Sequence, residues 1–228
     1  MNIKKFDELP KEMQNEAVRE YYDILKSKQG TLIIKHMIDV ILCGVVFIIT
    51  LPFFILFSIL IKFTSKGPVF FKQERIGRDL KTFHILKFRT MVKDADKKGI
   101  QLTTGNDSRI TPFGKFLRAI NMDEMPQLLN VIKGDMSIIG TRPEVKRYVD
   151  VYSDEMLATL LIRPGMVSLA SVKYKNENDM LTSASDPEQT YIKEILPDKM
   201  KYNLEYLRRL SFGEDLSILG KTIACVFK

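Results

Sequence analysis

Two adjacent carboxylates are the first candidates for chemistry. Asp123 and Glu124 lie together in the stretch INMDEMPQLLNVIKGDM, just ahead of a proline and an apolar run. Because Pro126 costs no hydrogen bond only in the first turn of a helix, the pattern predicts a helix with Asp123 as its N-cap and Gly134 after its end. The helix dipole would then favour the ionised form of both acids. A capping residue can converge with its neighbour on one site, although acids at helix starts also serve stability alone.

Three cations nearby in the sequence are candidates for binding phosphate. Arg142 follows a glycine in the stretch GDMSIIGTRPE, and its guanidinium can bind phosphate oxygens in a bidentate fork. Lys87 and Arg89 alternate along a β-rich run, so we expect them to share one face of a strand. Exposed and edge strands are also rich in such charges without binding anything.

Short elements must position these residues. Two β-rich runs at 69–72 and 83–89 flank a polar connection and predict a hairpin. A turn-rich piece at 94–114 leads to Thr111 and Pro112, which together predict the start of a short helix through Arg118. An apolar strand is predicted at 136–139, and a polar loop at 173–189.

An uncharged apolar segment precedes the hairpin. Residues 40–61 carry no charge and would reach about 33 Å as a helix, enough to cross a hydrocarbon core of about 30 Å. Pro52 lies near the middle, where a bend is expected and where Thr50 could bond freed backbone groups. Because both flanks are basic, the positive-inside rule places both in the cytoplasm, as in a helix that enters, breaks at Pro52 and returns. A kinked single span is the alternative.

Both ends of the chain predict helices. Residues 7–28 resemble a surface or packing helix, with Pro10 in its first turn and Gly30 past its end. Near the carboxyl terminus, apolar residues at helical spacing predict either an interfacial anchor or a helix packed against the core. These apolar residues are Leu216, Leu219, Ile223 and Val226.

The charge distribution indicates an anionic partner. The chain has 228 residues and a formal charge of +7, and the segment 62–93 accounts for that whole excess. Such a basic block suits lipid headgroups, nucleotide phosphates or nucleic acid. The absence of an interleaved aromatic platform argues against nucleic acid. A non-enzymatic membrane-anchored scaffold or lipid-binding protein is the main alternative to an enzyme. Two cysteines and two histidines leave no zinc-ligand spacing and no disulfide framework.

The order of several motifs resembles one family. The blocks KHMIDV, GPVFFKQERIG, KFRTM, RITPFGKFLRAINMDEMPQLLNVIKGDMSIIGTRPE, IRPGM and EDLSILGKTI are similar to those of bacterial sugar transferases, the monotopic polyprenyl-phosphate phosphoglycosyl transferases. The resemblance implies a membrane-associated α+β fold, mostly helical, with a small β-hairpin and a re-entrant helix broken at a proline. It divides the chain into an N-terminal surface helix (1–34), the re-entrant element (35–66) and a cytoplasmic catalytic domain ending in an interfacial helix (67–228).

The resemblance also implies an activity. A sugar 1-phosphate would pass from a UDP-sugar to polyprenyl phosphate at the cytoplasmic face of the bacterial inner membrane. Asp123 would be the nucleophile, Glu124 its partner, and both would hold Mg²⁺. Membrane lipid is a further partner, nucleic acid is not, and no motif specifies the sugar or the oligomeric state. The substrate-binding residues implied are Lys87, Arg89, Arg118, Arg142, Pro143 and Glu144.

The sequence departs from the family pattern in two loops. Thr141 stands where the arginine loop usually has a proline. The stretch RPGMVSLASV, residues 163–172, lacks the threonine-glycine and tryptophan-glutamine pairs that often follow this proline-glycine. We therefore expect recognition of the base or the sugar to differ at this loop.

Overall fold

The computed structural model describes residues 2–92, 95 and 107–226, leaving aside the side chains of Asn178 and Val226. The fold is mostly helical with two small sheets, in agreement with the predicted α+β class. The helices are α1 (Glu16–Ser27), α2 (Gln29–Thr64), α3 (Pro112–Ala119), α4 (Gln127–Lys133), α5 (Lys146–Val149), α6 (Leu169–Lys173), α7 (Glu177–Ser183), α8 (Pro187–Thr190), α9 (Leu196–Arg209) and α10 (Phe212–Val226). The strands are β1 (Phe70–Ile76), β2 (Thr82–Phe88), β3 (Ser137–Ile139) and β4 (Gly165–Val167).

Helix α1 is shorter than predicted. Asn15 caps it, because its side chain accepts a hydrogen bond from the Val18 amide at 2.9 Å. Pro10 lies ahead of the helix between two short 3₁₀ turns, and Gly30 falls inside α2, so neither marks the boundary that the sequence suggested. The apolar stripe of α1 is buried in the main core, which makes it a packing helix.

Helix α2 continues through Pro52. The sequence predicted a break there, but helical structure extends over all 36 residues. A proline inside a helix removes one hydrogen bond and need not end it. The Thr50 hydroxyl donates to the Val46 carbonyl at 2.7 Å, one turn earlier, rather than to a group freed by Pro52.

The buried residues of α2 fall in two groups, one on each side of Pro52. Before it, Leu32, Lys35, Asp39 and Cys43 are buried, and after it Phe54, Phe57 and Ile61. Between them most apolar side chains are exposed, with Ile48 at 71% and Ile49 at 68%, while Val46 and Phe47 are partly buried. Within the described residues, this is the one helix long and apolar enough to cross a membrane.

The predicted hairpin is present. β1 and β2 pair antiparallel, with Phe70 opposite Phe88 and Ile76 opposite Thr82. A short 3₁₀ turn, Arg78–Leu80, joins the two strands. The first strand is longer than the sequence predicted because its polar half, Lys72 to Arg75, also pairs with β2.

The short helices on either side of Asp123 and Glu124 confirm two predicted boundaries, the start of α3 and the end of α4. Thr111 caps α3 by accepting from the Gly114 amide, and Pro112 is its first residue. α4 ends at Lys133, and Gly134 follows with a φ of 85°, a left-handed conformation that favours glycine. The predicted strand at 136–139 is β3, which pairs parallel with β4. Most of the predicted turn-rich piece at 94–114 lies outside the described residues.

The segment at 173–189 is not the polar loop that the sequence suggested. It contains α7 and most of α8, and Leu181 of α7 is buried against Tyr191 and Ile195. A single apolar anchor in a polar segment was enough to dock the helix. A π-helical turn, Tyr191–Ile195, then leads into α9.

Candidate active site

The two acids lie in a 3₁₀ turn, Met122–Glu124, between α3 and α4. Asn121, just before them, has a left-handed backbone (φ 55°) that ends α3 and reverses the chain. α4 begins only at Gln127, so Asp123 is not its N-cap as predicted. Pro126 takes the N-cap position of α4, two residues after Glu124.

Glu124 is held as an ion. Lys87 Nζ donates to Glu124 Oε1 at 2.6 Å, which joins the end of the hairpin to the turn. Burial opposes ionisation of this carboxyl group, but Lys87, Arg142 and a hydrogen bond from Gln127 outweigh it. Together they hold the pKa of Glu124 below its ordinary value.

Asp123 has the opposite tendency. Burial raises the pKa of Asp123 above its ordinary value, and the negative charge of Glu124 adds to this effect, while Lys87 and Arg118 partly offset it. The sequence suggested that a helix dipole would favour ionisation of both acids. In the structure the two acids differ, because Lys87 pairs directly with Glu124, whereas among the described residues no ion pair joins a cation to Asp123. A carboxylate that is poorly stabilised as an ion is a better nucleophile than one held in an ion pair.

Charged groups surround a cavity beside Glu124. It is open to solvent and has about 20 Å³ of water-accessible space, which is room for about one water molecule. Gly165 of β4 forms one wall, and a Cβ there would lie 2.2 Å from the Gly140 amide nitrogen, so only glycine permits this packing. The cavity is lined by Arg75, Ile85, Lys87, Glu124, Gln127, Arg142, Pro143, Gly165 and Met166.

The arginine loop contributes differently at each of its three predicted positions. The Arg142 guanidinium lies among the carboxylates of Glu124, Glu144 and Glu177, which raise its pKa although burial opposes them. Pro143 lines the cavity, and its carbonyl accepts from Arg75 Nη1 at 3.1 Å. Glu144 is 5% exposed and faces protein groups rather than the cavity.

The two remaining predicted cations occupy different places. Arg118 Nε donates to Thr90 Oγ1 at 2.8 Å, and its charge acts on Asp123 by lowering the pKa of that carboxyl. Arg89 is buried and donates to the Ser65 carbonyl at the end of α2. Lys87 and Arg89 therefore do not meet at one site as their alternation suggested. Lys87 reaches Glu124, whereas Arg89 contacts the end of α2.

The sequence matches a known family over most of its length. A profile of the family described as bacterial sugar transferase matches residues 30–228. The chain belongs to the bacterial sugar transferase family. The matched range contains α2, both sheets and every residue of the candidate site.

Relatives of this sugar transferase are named for sugar-phosphate transfer to undecaprenyl phosphate or for exopolysaccharide production. It is 34% identical over 197 residues to a UDP-glucose:undecaprenyl-phosphate glucose-1-phosphate transferase of Klebsiella pneumoniae, covering 84% of this chain and 40% of that one. A UDP-N-acetylgalactosamine-undecaprenyl-phosphate N-acetylgalactosaminephosphotransferase of Aeromonas hydrophila is 33% identical over 196 residues, covering 85% and 43%. The exopolysaccharide production protein ExoY of Rhizobium meliloti is 30% identical over 207 residues, covering 84% of both chains. The chain spans less than half the length of the first two.

Two residues of the sugar transferase site were not predicted. Arg75 lines the cavity from β1, and Gln127 donates to Glu124 from the first position of α4. Arg75 belongs to the GPVFFKQERIG block, but only the hairpin register shows which way it points. Gln127 could have been identified from its spacing, because it lies three residues after Glu124 and the two share one side of a helical turn.

Proposed function

We propose that this sugar transferase moves a sugar 1-phosphate from a UDP-sugar to polyprenyl phosphate, releasing UMP. The proposal rests on one observation. Asp123 and Glu124, which we call the dyad, lie beside a cavity lined by cations. Asp123 is poorly stabilised as an ion, Glu124 is well stabilised, and Lys87, Arg75 and Arg142 lie around them. A site of this kind suits attack on a diphosphate, because shielding of phosphate charge is the main requirement when a carboxylate approaches an anion.

In the first step the Asp123 carboxylate attacks the sugar-bearing phosphorus of the UDP-sugar. The bond from that phosphorus to the bridging oxygen breaks, UMP leaves with the electron pair, and an acyl phosphate links Asp123 to the sugar. In the second step an oxygen of polyprenyl phosphate attacks the same phosphorus. The acyl-oxygen bond to phosphorus breaks, Asp123 returns to a carboxylate, and polyprenyl-diphosphate-sugar is formed.

The cations around the cavity have separate tasks. Arg142 binds the diphosphate oxygens in a fork, and Arg75, which also lines the cavity, supports it. Lys87 holds Glu124 ionised and lowers the cost of bringing an anion to Asp123. Arg118 acts from α3 on the other side of Asp123.

Asp123 and Glu124 are the residues that would hold Mg²⁺. Over residues 2–92, 95 and 107–226, no three His, Cys, Asp or Glu side chains form a ligand cluster. Mg²⁺ commonly takes one or two carboxylates and completes its shell with phosphate oxygens and waters, so this donor set fits. Lys87 bonds Oε1 of Glu124, and a carboxylate has two oxygens with which it can accept bonds or bind a metal. When bound, the ion would neutralise charge on the transferred phosphoryl group.

The contacts of α2 support a re-entrant arrangement. Before Pro52, Lys35 pairs with Asp215 of α10 at 2.6 Å. After Pro52, the Phe54 ring lies 5.3 Å from that of Phe88 in the hairpin. A helix that crossed the bilayer would carry its ends to opposite sides. Both ends of α2 instead contact the part of the fold that follows it, from residue 67 onward, which we call the catalytic body. We infer that α2, although helical through Pro52, bends at this proline, enters one leaflet and returns, with its exposed apolar middle in lipid.

A row of aromatic rings connects this lipid-facing helix to the dyad. The row begins at Phe53 of α2, continues through Phe57 and Phe113, and ends at Phe116 of α3, with centroid distances of 6.2, 6.0 and 5.9 Å between successive rings. Beyond Phe116, the exposed side chains of Ile120 and Met122 lead to Asp123. The active site thus lies at the bilayer surface, where the phosphate of a polyprenyl lipid is found.

The membrane is the cytoplasmic membrane of a bacterium, and the catalytic body lies on its cytoplasmic face. The basic flanks of α2 favour that face. The exposed side chains of Leu216, Leu219 and Ile223 on α10 would enter the same interface. The side chain of Val226, predicted to extend this stripe, lies outside the described residues.

Release of UMP tests the proposed function. Membranes containing the chain receive a panel of UDP-sugars, polyprenyl phosphate and Mg²⁺. We expect UMP with at least one sugar, and a loss of about 10³-fold or more in Asp123→Asn. Asp150→Asn, an exposed aspartate of similar chemistry, is the control and should retain activity. A non-enzymatic scaffold would release no UMP from any sugar.

A further inference from the structure

Lys199 of α9 is a charged residue buried almost completely. Only 2% of its surface is exposed. Its Nζ lies 3.0 Å from Glu177 Oε2, 3.5 Å from Glu144 Oε1 and 3.1 Å from the Tyr191 hydroxyl. Burying an ammonium group is costly unless it is paired, so these contacts must compensate for a large loss of hydration.

Glu144 connects this lysine to the arginine that supports the cavity. Its Oε1 accepts from the Tyr191 hydroxyl at 2.7 Å, and its Oε2 lies 3.6 Å from Arg75 Nη1. The Glu144 carbonyl also accepts from the Ile76 amide, which fixes the loop to the end of β1. Tyr191 opens a π-helical turn, a distortion often found near functional sites.

Glu177 connects the same lysine to Arg142. It is the first residue of α7, and its carboxylate and that of Glu144 both act on the Arg142 guanidinium. Apart from the ion pair of Lys87 with Glu124, which is neutral overall, three cations thus face two carboxylates, Glu144 and Glu177. The cations are Arg75, Arg142 and Lys199. The excess of one positive charge disappears if Lys199 is removed.

We propose that Lys199 is a positioning residue that keeps Glu144 and Glu177 from capturing the arginines of the cavity. The ammonium group occupies Glu177 and Oε1 of Glu144. Arg75 then shares Glu144 through the other oxygen at 3.6 Å, and its buried Nε has no hydrogen-bond partner among the described residues, so it keeps a donor for the diphosphate. Arg142 lines the same cavity. This inference rests on the proposed function for its biological meaning. Its physical content is the affinity of the cavity for a diphosphate group, which can be measured without turnover.

The test uses binding of inorganic pyrophosphate to the full chain in detergent, measured by calorimetry. In Lys199→Met, which keeps most of the side-chain volume, we expect the affinity to fall about tenfold, a typical coupling between neighbouring charges. Lys201→Met is the matched control, because Lys201 lies on the same helix, is exposed and, within the described part of the chain, pairs with Asp198 alone. It should bind pyrophosphate as the unaltered chain does.

A double substitution separates this role from simple packing. Glu177→Gln added to Lys199→Met removes one carboxylate that the lysine had neutralised, so most of the lost affinity should return. If Lys199 had only a packing role, the double substitution would not restore affinity. A folded double variant that does not regain affinity would therefore overturn the proposal. If Lys199→Met does not fold, pyrophosphate binding by the single variant Glu177→Gln tests the proposal instead. We expect it to tighten pyrophosphate binding two- to threefold, and unchanged or weaker binding would contradict the role.

Turnover adds a second measurement. In Lys199→Met we expect the KM for the UDP-sugar to rise more than kcat falls, because Asp123 itself is untouched. If the unaltered chain released no UMP, the proposed function would fail, yet the pyrophosphate affinities would still test the role of Lys199. The two failures are therefore distinguishable.

Discussion

Two charged clusters of this protein differ in how completely their members are paired. One, the anchor cluster, lies between α2 and the catalytic body. Lys35 pairs with Asp215, the Tyr206 hydroxyl donates to the other oxygen of Asp215 at 2.8 Å, and Ser137 donates to Asp39. All of these charges are satisfied within the protein, as expected of groups that hold one element against another.

The other, the active-site cluster, consists of Arg75, Lys87, Asp123, Glu124 and Arg142. Here pairing is incomplete. The buried Nε of Arg75 has no hydrogen-bond acceptor among the described residues, and the pKa values of the two acids shift in opposite directions.

Both clusters contain charged side chains that are largely buried, so burial alone does not explain why one is fully paired and the other is not. The anchor cluster also borders a cavity, lined in part by Lys35, Asp39 and Ser137, so the two clusters differ in pairing rather than in the presence of a cavity. Closed pairing accompanies anchoring, and the cations beside Glu124 keep a donor that can bind an anion.

Breaking the anchor cluster should affect stability and leave the chemistry intact. Asp215→Asn leaves the Lys35 ammonium buried without its closest counter-charge, so we expect a loss of about 3 kcal/mol in the free energy of unfolding. Denaturant titration in detergent measures it. Glu205→Gln, which removes a partly exposed ion pair with Arg209, is the control and should change stability by less than about 1 kcal/mol. Equal losses in both variants would mean that the anchor cluster has no special role.

Altering the active-site cluster should lower activity and leave stability nearly unchanged. Arg142→Lys keeps the charge but loses the planar fork, so we expect kcat/KM for UMP release to fall about 10²-fold with little change in stability. Arg147→Lys, on the exposed surface beside Glu188, is the control. Undiminished kcat/KM in Arg142→Lys would show that this guanidinium does not bind the diphosphate.

The pH dependence of kcat/KM gives a smaller effect that is specific to the active-site cluster. Asp123 must be ionised to attack, and burial raises its pKa, so activity should decline on the acid side as pH falls through that raised pKa. Lys87 is the largest influence that lowers this pKa. In Lys87→Met the pKa should rise further, and the acid limb of the kcat/KM profile should move to higher pH. The exposed Lys133→Met should leave the limb in place, and a shift to lower pH in Lys87→Met would refute the assignment.

Local patterns predicted much of this structure. Thr111 with Pro112 specified the start of α3, and Gly134 specified the end of α4, because caps depend on a few neighbouring residues. The N-cap assigned to Asp123 was wrong because the two acids lie in a separate 3₁₀ turn that follows the left-handed Asn121, and Pro126 takes the cap position of α4. Asparagine adopts a left-handed backbone more readily than most residues, but local pattern alone did not indicate that this asparagine would.

Long-range partners were beyond the reach of local patterns. The cavity combines Arg75 of β1 with Gly165 of β4, which are far apart in the sequence and meet only through the folded body. The separation of Lys87 from Arg89 has a similar cause, since β2 ends at Phe88 and Arg89 turns toward the end of α2. Likewise, the role of Glu177 depends on α7 docking through Leu181, one apolar residue in a polar segment.

The central claim is that Asp123 carries the sugar phosphate during transfer. Mass spectrometry of the chain, quenched with acid after incubation with a reactive UDP-sugar and no polyprenyl phosphate, tests it directly. We predict an added mass equal to one sugar phosphate on the peptide that contains Asp123, absent from Asp123→Asn and lost when polyprenyl phosphate is supplied. Rapid UMP release with an unmodified Asp123 would contradict the account.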